Sequence, residues 1–104
     1  SQVKIAGNRV ELLEIEAQIR KMDEVEMGLC FVSGDANEKL IVAVLITRRK
    51  YDIADVRGYL KELLPTYMLP RIVHCLDDPP LNKSGKVDRA GIISKYASPD
   101  FVFK

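Results

Sequence analysis

Gln2-Val3-Lys4-Ile5-Ala6-Gly7-Asn8-Arg9-Val10-Glu11-Leu12-Leu13-Glu14-Ile15-Glu16 changes its hydrophobic period once, and the fold can be read outward from that change. Val3-Lys4-Ile5 and Arg9-Val10-Glu11 alternate apolar and polar, with Gly7-Asn8 between them. Gly and Asn both tolerate positive φ, so this stretch predicts a short β-hairpin. From Leu12 to Met22 the period lengthens. Leu12, Ile15, Ile19 and Met22 recur at three- and four-residue spacing, and Glu14, Glu16, Arg20 and Lys21 take the other face. That is an amphipathic helix.

Beyond it, Met27–Ser33 and Leu40–Thr47 are β-rich runs joined by the polar turn Gly34-Asp35-Ala36-Asn37-Glu38-Lys39, an antiparallel hairpin pattern. Leu40-Ile41-Val42-Ala43-Val44-Leu45-Ile46 is apolar on both faces, which predicts the central strand. Asp52 offers an N-cap to a helix whose buried face carries Ile53, Val56, Tyr59, Leu60 and Leu63, and which Pro65 ends. Gly58 within that helix costs about 1 kcal/mol against Ala. Arg71–Leu76 is a third strand of the main sheet, Asp77-Asp78-Pro79-Pro80 breaks the chain, and Leu81–Lys86 is a polar loop. Asp88 caps a last helix bearing Ile92, Ile93 and Tyr96. The expected fold is a small α+β domain, with about three helices packed on a small three-stranded, mainly antiparallel sheet and a separate N-terminal β-hairpin. Residues 1–97 form the domain and 98–104 a tail or linker. Phe101 and Phe103 flank Val102 in that tail without a clear period.

The chain has 104 residues, room for one modest core, with 47% apolar and 30% charged residues, as in ordinary globular folds. A formal net charge of +1 and dispersed basic residues point to neither nucleic acid nor a membrane surface. Arg48-Arg49-Lys50 is the single basic run. No apolar stretch reaches the ~18–20 residues of a membrane span, and the N-terminus lacks a signal-peptide pattern. Cys30 and Cys75 lie far apart in strand-like runs, which is neither a disulfide framework nor a zinc site. They read as buried, packed thiols of a cytoplasmic protein. His74 has no metal-ligand partners at short spacing and reads as a core or strand-face histidine.

Two further segments carry chemistry: Leu64-Pro65-Thr66-Tyr67-Met68-Leu69-Pro70 and Asn82-Lys83-Ser84-Gly85-Lys86-Val87-Asp88-Arg89. Ser84-Gly85 makes a flexible turn that leaves Lys86 at a loop tip just before a helix start. A lysine there is a compact charge with three donors, suited to a carboxylate or phosphoryl oxygen. On the loop alone, an exposed surface lysine is the simpler account. A P-loop is excluded, because Val87 stands where Ser or Thr would follow the lysine. Glu11, Glu14 and Glu16 suggest acid–base work, yet their place at a helix start has a dipole explanation. Pro65 and Pro70 bracket Tyr67 and Met68 as a stiff connector. Asp88 and Arg89 read as a helix cap and a local charge partner.

Taken together, these three segments resemble the C-terminal subdomain of adenylation domains in nonribosomal peptide synthetases, from Gln2 to about Tyr96. The group to which that family belongs also includes acyl-CoA synthetases, D-alanine–carrier-protein ligases and luciferases. The family patterns are roughly Gln-Val-Lys-Ile-Arg-Gly-x-Arg-Ile-Glu-Leu-Gly-Glu-Ile-Glu, then Leu-Pro-x-Tyr-Met-Ile/Val-Pro, then Asn-Gly-Lys-Val/Ile-Asp-Arg. The resemblance implies an ATP-dependent ligase that activates an amino acid, or another small carboxylic acid, as an acyl-adenylate. The acyl group then passes to the phosphopantetheine thiol of a peptidyl or acyl carrier protein. It implies that Lys86 is catalytic, with Ser84 and Gly85 in the loop near ATP. Lys4, Ala6, Gly7, Asn8 and Arg9 would form a hairpin that enters the site for the thioester step. ATP and Mg2+ would be held mainly by an N-terminal subdomain outside this sequence, without which the chain is expected to be inactive. No metal, nucleic-acid or membrane site is expected on the chain itself.

The sequence departs from the pattern at three places. Ala6 stands where the family commonly has Arg, which puts in doubt any contact that arginine makes with phosphate or carrier protein. Leu13 replaces Gly, a helix-favouring change. Asn82-Lys83-Ser84 replaces the usual Thr/Pro-Asn stretch, which puts Ser84 directly before Gly85. The competing readings are the lid of an acyl- or aryl-CoA or D-alanine–carrier-protein ligase, and a non-catalytic carrier-binding module that has no need of Lys86.

Overall fold

Ala6 and Gly7 take positive φ, 50° and 82°, and so form the two-residue turn of the N-terminal hairpin. A type I′ turn requires positive φ at both positions and matches the twist of the strands it joins. The turn is therefore Ala6-Gly7 and not Gly7-Asn8, and Asn8 already belongs to the second strand. The computed structural model describes residues 2–35 and 37–97; the expected tail at 98–104 and Ala36 of the long turn lie outside them. Strand β1 (Gln2–Ile5) pairs antiparallel with β2 (Asn8–Glu11), in a register that sets Lys4 opposite Arg9.

Helix α1 (Leu12–Ile19) starts directly from β2, with the Glu11 carboxylate accepting from the Leu13 amide at 3.4 Å. It buries Leu12, Ile15 and Ile19. The helix stops before Met22, the end the periodicity suggested, although Met22 is still buried in the turn beyond it. The chain then reverses through Glu24 at φ 61°. Thr47 holds that residue, its hydroxyl donating to the Glu24 carbonyl at 3.1 Å.

Strands β3 (Val25–Gly34) and β4 (Lys39–Thr47) form the long antiparallel pair, and β5 (Ile72–Leu76) adds to β4 in parallel. The sheet order is β3-β4-β5, with β4 central and every residue from Leu40 to Thr47 buried. The sheet is thus mixed. Parallel pairing needs a crossover, which α2 (Ile53–Leu60) and a 3-10 turn at Thr66–Met68 supply. Asp52 and Asp55 make a reciprocal capping box on α2, with bonds of 2.8 and 3.0 Å. That helix ends at Leu60. Leu63, expected on its buried face, is consequently 48% exposed, and Leu64 takes the core position.

Helix α3 (Arg89–Tyr96) covers the opposite sheet face. One core joins α1, α2 and the hairpin to Cys30, Ile41, Ala43 and Leu45. The other joins Ile92 and Tyr96 to Leu29, Phe31, Val42, Val44 and Ile46. Fully burying each such aliphatic side chain stabilises by about 1.5–3 kcal/mol, so both faces of β4 contribute. Cys30 is buried as expected. Cys75 is only half-buried, its thiol donating to the Tyr51 carbonyl at 3.3 Å.

Candidate functional site

Leu81 and Val87 form an isolated antiparallel bridge that closes the loop containing Lys86. Within it the Asn82 amide donates to the Lys86 carbonyl at 2.7 Å, and the Gly85 amide donates to the Asn82 carbonyl at 3.0 Å. The Asn82 side chain fills the remaining space. Its Oδ1 accepts from the amides of Ser84 at 2.9 Å and Lys86 at 3.1 Å. Gly85 has φ +80°, a region other residues enter only at a cost, with open space where a Cβ would stand. The loop is thus a built turn, with the Lys86 side chain exposed at its end. Asn82, in the sequence only a departure from the family pattern, is its organiser. An Asn two residues before Ser84-Gly85 was the available signal, since Asn side chains bond the backbone two residues on.

Residues just after Lys86 fix the loop to the domain. The Asp88 amide donates to the Pro80 carbonyl at 2.9 Å, and the Asp88 carboxylate caps α3 by accepting from the Gly91 amide at 3.0 Å. A Cβ at Gly91 would collide with that carboxylate, so the glycine makes room for the cap. Arg89, expected to pair locally, reaches Glu16 of α1. Its Nη2 donates to both carboxylate oxygens, at 3.0 and 3.2 Å. Glu16 also accepts from the Cys30 amide at 2.8 Å. Burial pushes the Cys30 thiol far up, and the Glu16 charge adds to that while Arg89 opposes it. This thiol is no nucleophile.

The hairpin residues form a separate group. Lys4 and Arg9 are both exposed and face each other across the strands, a like-charge pairing that costs stability in a hairpin. The tip, with Lys4, Ile5, Ala6 and Gly7, borders a shallow depression shared with Asn37, Glu38 and Lys39 of the β3–β4 turn. The structure brings Lys86 together with Ser84 and Gly85, and Lys4 together with Ala6, Gly7, Asn8 and Arg9, as two groups on different elements. Glu11 works as a cap and Glu16 as the carboxylate that Arg89 and Cys30 share. Burial lowers the pKa of His74, whose ring lies 4.4 Å from that of Tyr96. Among the described residues no cluster of three or more His, Cys, Asp or Glu side chains is placed to hold a metal ion. No helix there is long and apolar enough to cross a membrane.

The family model of the AMP-binding enzyme C-terminal domain matches residues 14–86, most of the described chain and ending on Lys86. Gramicidin S synthase 2 of Brevibacillus brevis is 38% identical over 92 residues, covering 88% of this chain and 2% of that protein. Surfactin synthase subunit 3 of Bacillus subtilis (strain 168) is 40% identical over 92 residues, covering 85% of this chain and 7% of that protein. The chain therefore spans only a small part of the curated relatives it matches. Among solved structures, ATP-bound MatB from Rhodopseudomonas palustris superposes with a TM-score of 0.77 at 26% identity, over 93% of this chain and 20% of that one. With the family match over most of its length and peptide synthetases among its relatives, the chain belongs to the AMP-binding enzyme C-terminal domains, as the C-terminal subdomain of a nonribosomal-peptide-synthetase adenylation domain.

Proposed function

We propose that this chain is the lid of an ATP-dependent ligase, with Lys86 as its catalytic residue and an amino acid as the acid activated. In the first half-reaction a carboxylate oxygen attacks the α-phosphorus of ATP, forming the acyl-adenylate as pyrophosphate leaves. Two anions must approach for this to happen. A lysine ammonium bound to the carboxylate and the reacting phosphoryl oxygens offsets the charge that builds between them. The observation that carries this reading is the pinned Asn82–Lys86 turn, which presents Lys86 on a closed backbone with its side chain exposed. Ser84 and Gly85 lie beside it in that turn and accompany it to ATP.

In the second half-reaction the phosphopantetheine thiol of a carrier protein attacks the acyl carbon, and AMP leaves with the carboxyl oxygen that bridged to phosphorus. For this step the domain rotates as a rigid body, withdrawing Lys86 and presenting the hairpin tip. Small residues at Ala6 and Gly7 leave a passage for the pantetheine arm, while Lys4, Asn8 and Arg9 flank it. Mg2+ and most ATP contacts fall to the N-terminal subdomain, so the chain alone is inactive.

The test is Lys86→Ala in the enzyme formed with that subdomain, followed by ATP–pyrophosphate exchange over a panel of amino, aryl and fatty acids. Exchange should drop ~10²–10³-fold, as expected for losing one preorganised donor. Exchange that ignores the substitution would remove Lys86 from the mechanism, and a response confined to aryl or fatty acids would move the substrate class.

A further inference from the structure

We propose, resting on the reading of Lys86 above, that Glu16 and Arg89 are positioning residues forming an ionic clasp that sets the lysine loop for adenylation. Helices α1 and α3 pack on opposite faces of the sheet. Glu16 of α1 and Arg89 of α3 nonetheless meet at 3.0 Å, which they do around the free edge of β3, the outer strand of the sheet. A third hydrogen bond fixes the clasp to that edge, since Glu16 also accepts from the backbone amide of Cys30 at 2.8 Å. The Glu16 side chain is 11% exposed and the Arg89 side chain 46%. The pair is open to solvent on the Arg89 side only, and Glu16 keeps its bond from the Cys30 amide when Arg89 is replaced.

Its value is geometric. Arg89 comes after Lys86 with only Val87, in its bridge to Leu81, and Asp88, bonded to Pro80 and Gly91, between them. Those contacts fix the loop to α3 and its face of the sheet, whereas the Glu16–Arg89 pair ties its base to α1, the helix that continues from the hairpin. The two functional groups therefore move as one when the domain rotates. Without the clasp, the loop's base is held to α1 by no charge, and Lys86 reaches its target in the wrong place in a larger share of encounters. A small misplacement of a reacting group costs far more in rate than in stability.

The experiment uses the enzyme assembled with its N-terminal subdomain and the amino acid that the exchange panel identifies. Arg89→Gln, Arg89→Lys and Lys86→Ala are compared for adenylation kcat and KM, for thioester formation from supplied acyl-adenylate, and for thermal unfolding. Arg89→Gln should lower adenylation kcat ~10-fold while leaving KM and thioester formation close to wild type. Arg89→Lys should recover most of the rate, because a single nitrogen bridges both Glu16 oxygens and an ammonium can do the same. A wild-type adenylation rate in Arg89→Gln would overturn the clasp. So would a parallel fall of both half-reactions with a lowered Tm, the mark of a merely structural pair. Loss of adenylation in Lys86→Ala but not in Arg89→Gln would sink this inference alone, and indifference to both would sink the reading beneath it as well.

Discussion

At the scale of the residue, Ala6 occupies a conformation that its side chain resists. Its φ of 50° lies in the left-handed region, where a Cβ costs about 1–2 kcal/mol and where Asn and Gly are at ease. Ala6→Asn creates an Asn-Gly pair, the preferred type I′ sequence, and should stabilise the domain by about 1 kcal/mol. For a domain of this size that raises Tm by roughly 4–8 °C in thermal unfolding. A Tm unchanged or lowered would mean that Ala6 is not strained. The sequence showed the hairpin but misplaced its turn by one residue, because Asn8 is the more familiar turn former and Ala6 carries no such signal. The proposal for Lys86 rests on the resemblance, since a Gly-Lys pair in a loop is common. Asn82 entered only as part of a departure from the family pattern. Its role depends on bonds to Ser84 and Lys86, which close only once the loop is folded.

Among the elements, α1 and β3 approach as closely as glycine permits. A Cβ on Gly28 would stand 2.7 Å from Ile19 Cγ2 and 3.0 Å from Ile19 Cβ, both belonging to a fully buried side chain. Gly28→Ala should therefore cost about 1–3 kcal/mol, the usual range for overpacking. The same change in an Ile19→Ala background should cost distinctly less, a coupling that urea unfolding of the four proteins of the cycle would measure. Additive costs would show that β3 simply shifts away. This contact seats α1, the helix that carries Glu16 and extends directly from the hairpin. Element identities were legible where the apolar pattern was unambiguous: β4, apolar on both faces, is central and covered on both. Element ends were not. Leu63 fits the helical period of α2, yet the helix closes at Leu60 and a turn delivers Leu64 to the core instead. The direction of β5 was hidden for a related reason, since strand composition does not record whether a helical crossover or a tight turn precedes it.

Across the whole molecule, the sheet is covered by two helices and the hairpin on one face and, among the described residues, by α3 on the other. The seating of α3 therefore decides where the lysine loop sits, and His74 of β5 lies beneath it against Tyr96. Burial lowers the His74 pKa from its ordinary 6.5, so the folded protein binds this proton less readily than the unfolded chain does. Stability from this source is complete above pH 6.5 and is lost as pH falls below 6.5 through the lowered folded value. The urea midpoint should thus decline between about pH 7.5 and about pH 5.5 in the wild-type protein. His74→Phe keeps a ring against Tyr96 but cannot titrate, and its midpoint should decline less over the same range. Because His74 lies against Tyr96 of α3, acid should also lower the protection factors (exchange corrected for its base-catalysed intrinsic rate) of Ile92 and Ala97, whose N–H groups bond within and at the end of α3, ahead of those in β4. Parallel midpoint curves for the two proteins would assign the acid sensitivity to other groups. Protection lost from α3 in the wild type alone would show that protonating one strand histidine loosens the helix that follows the lysine loop.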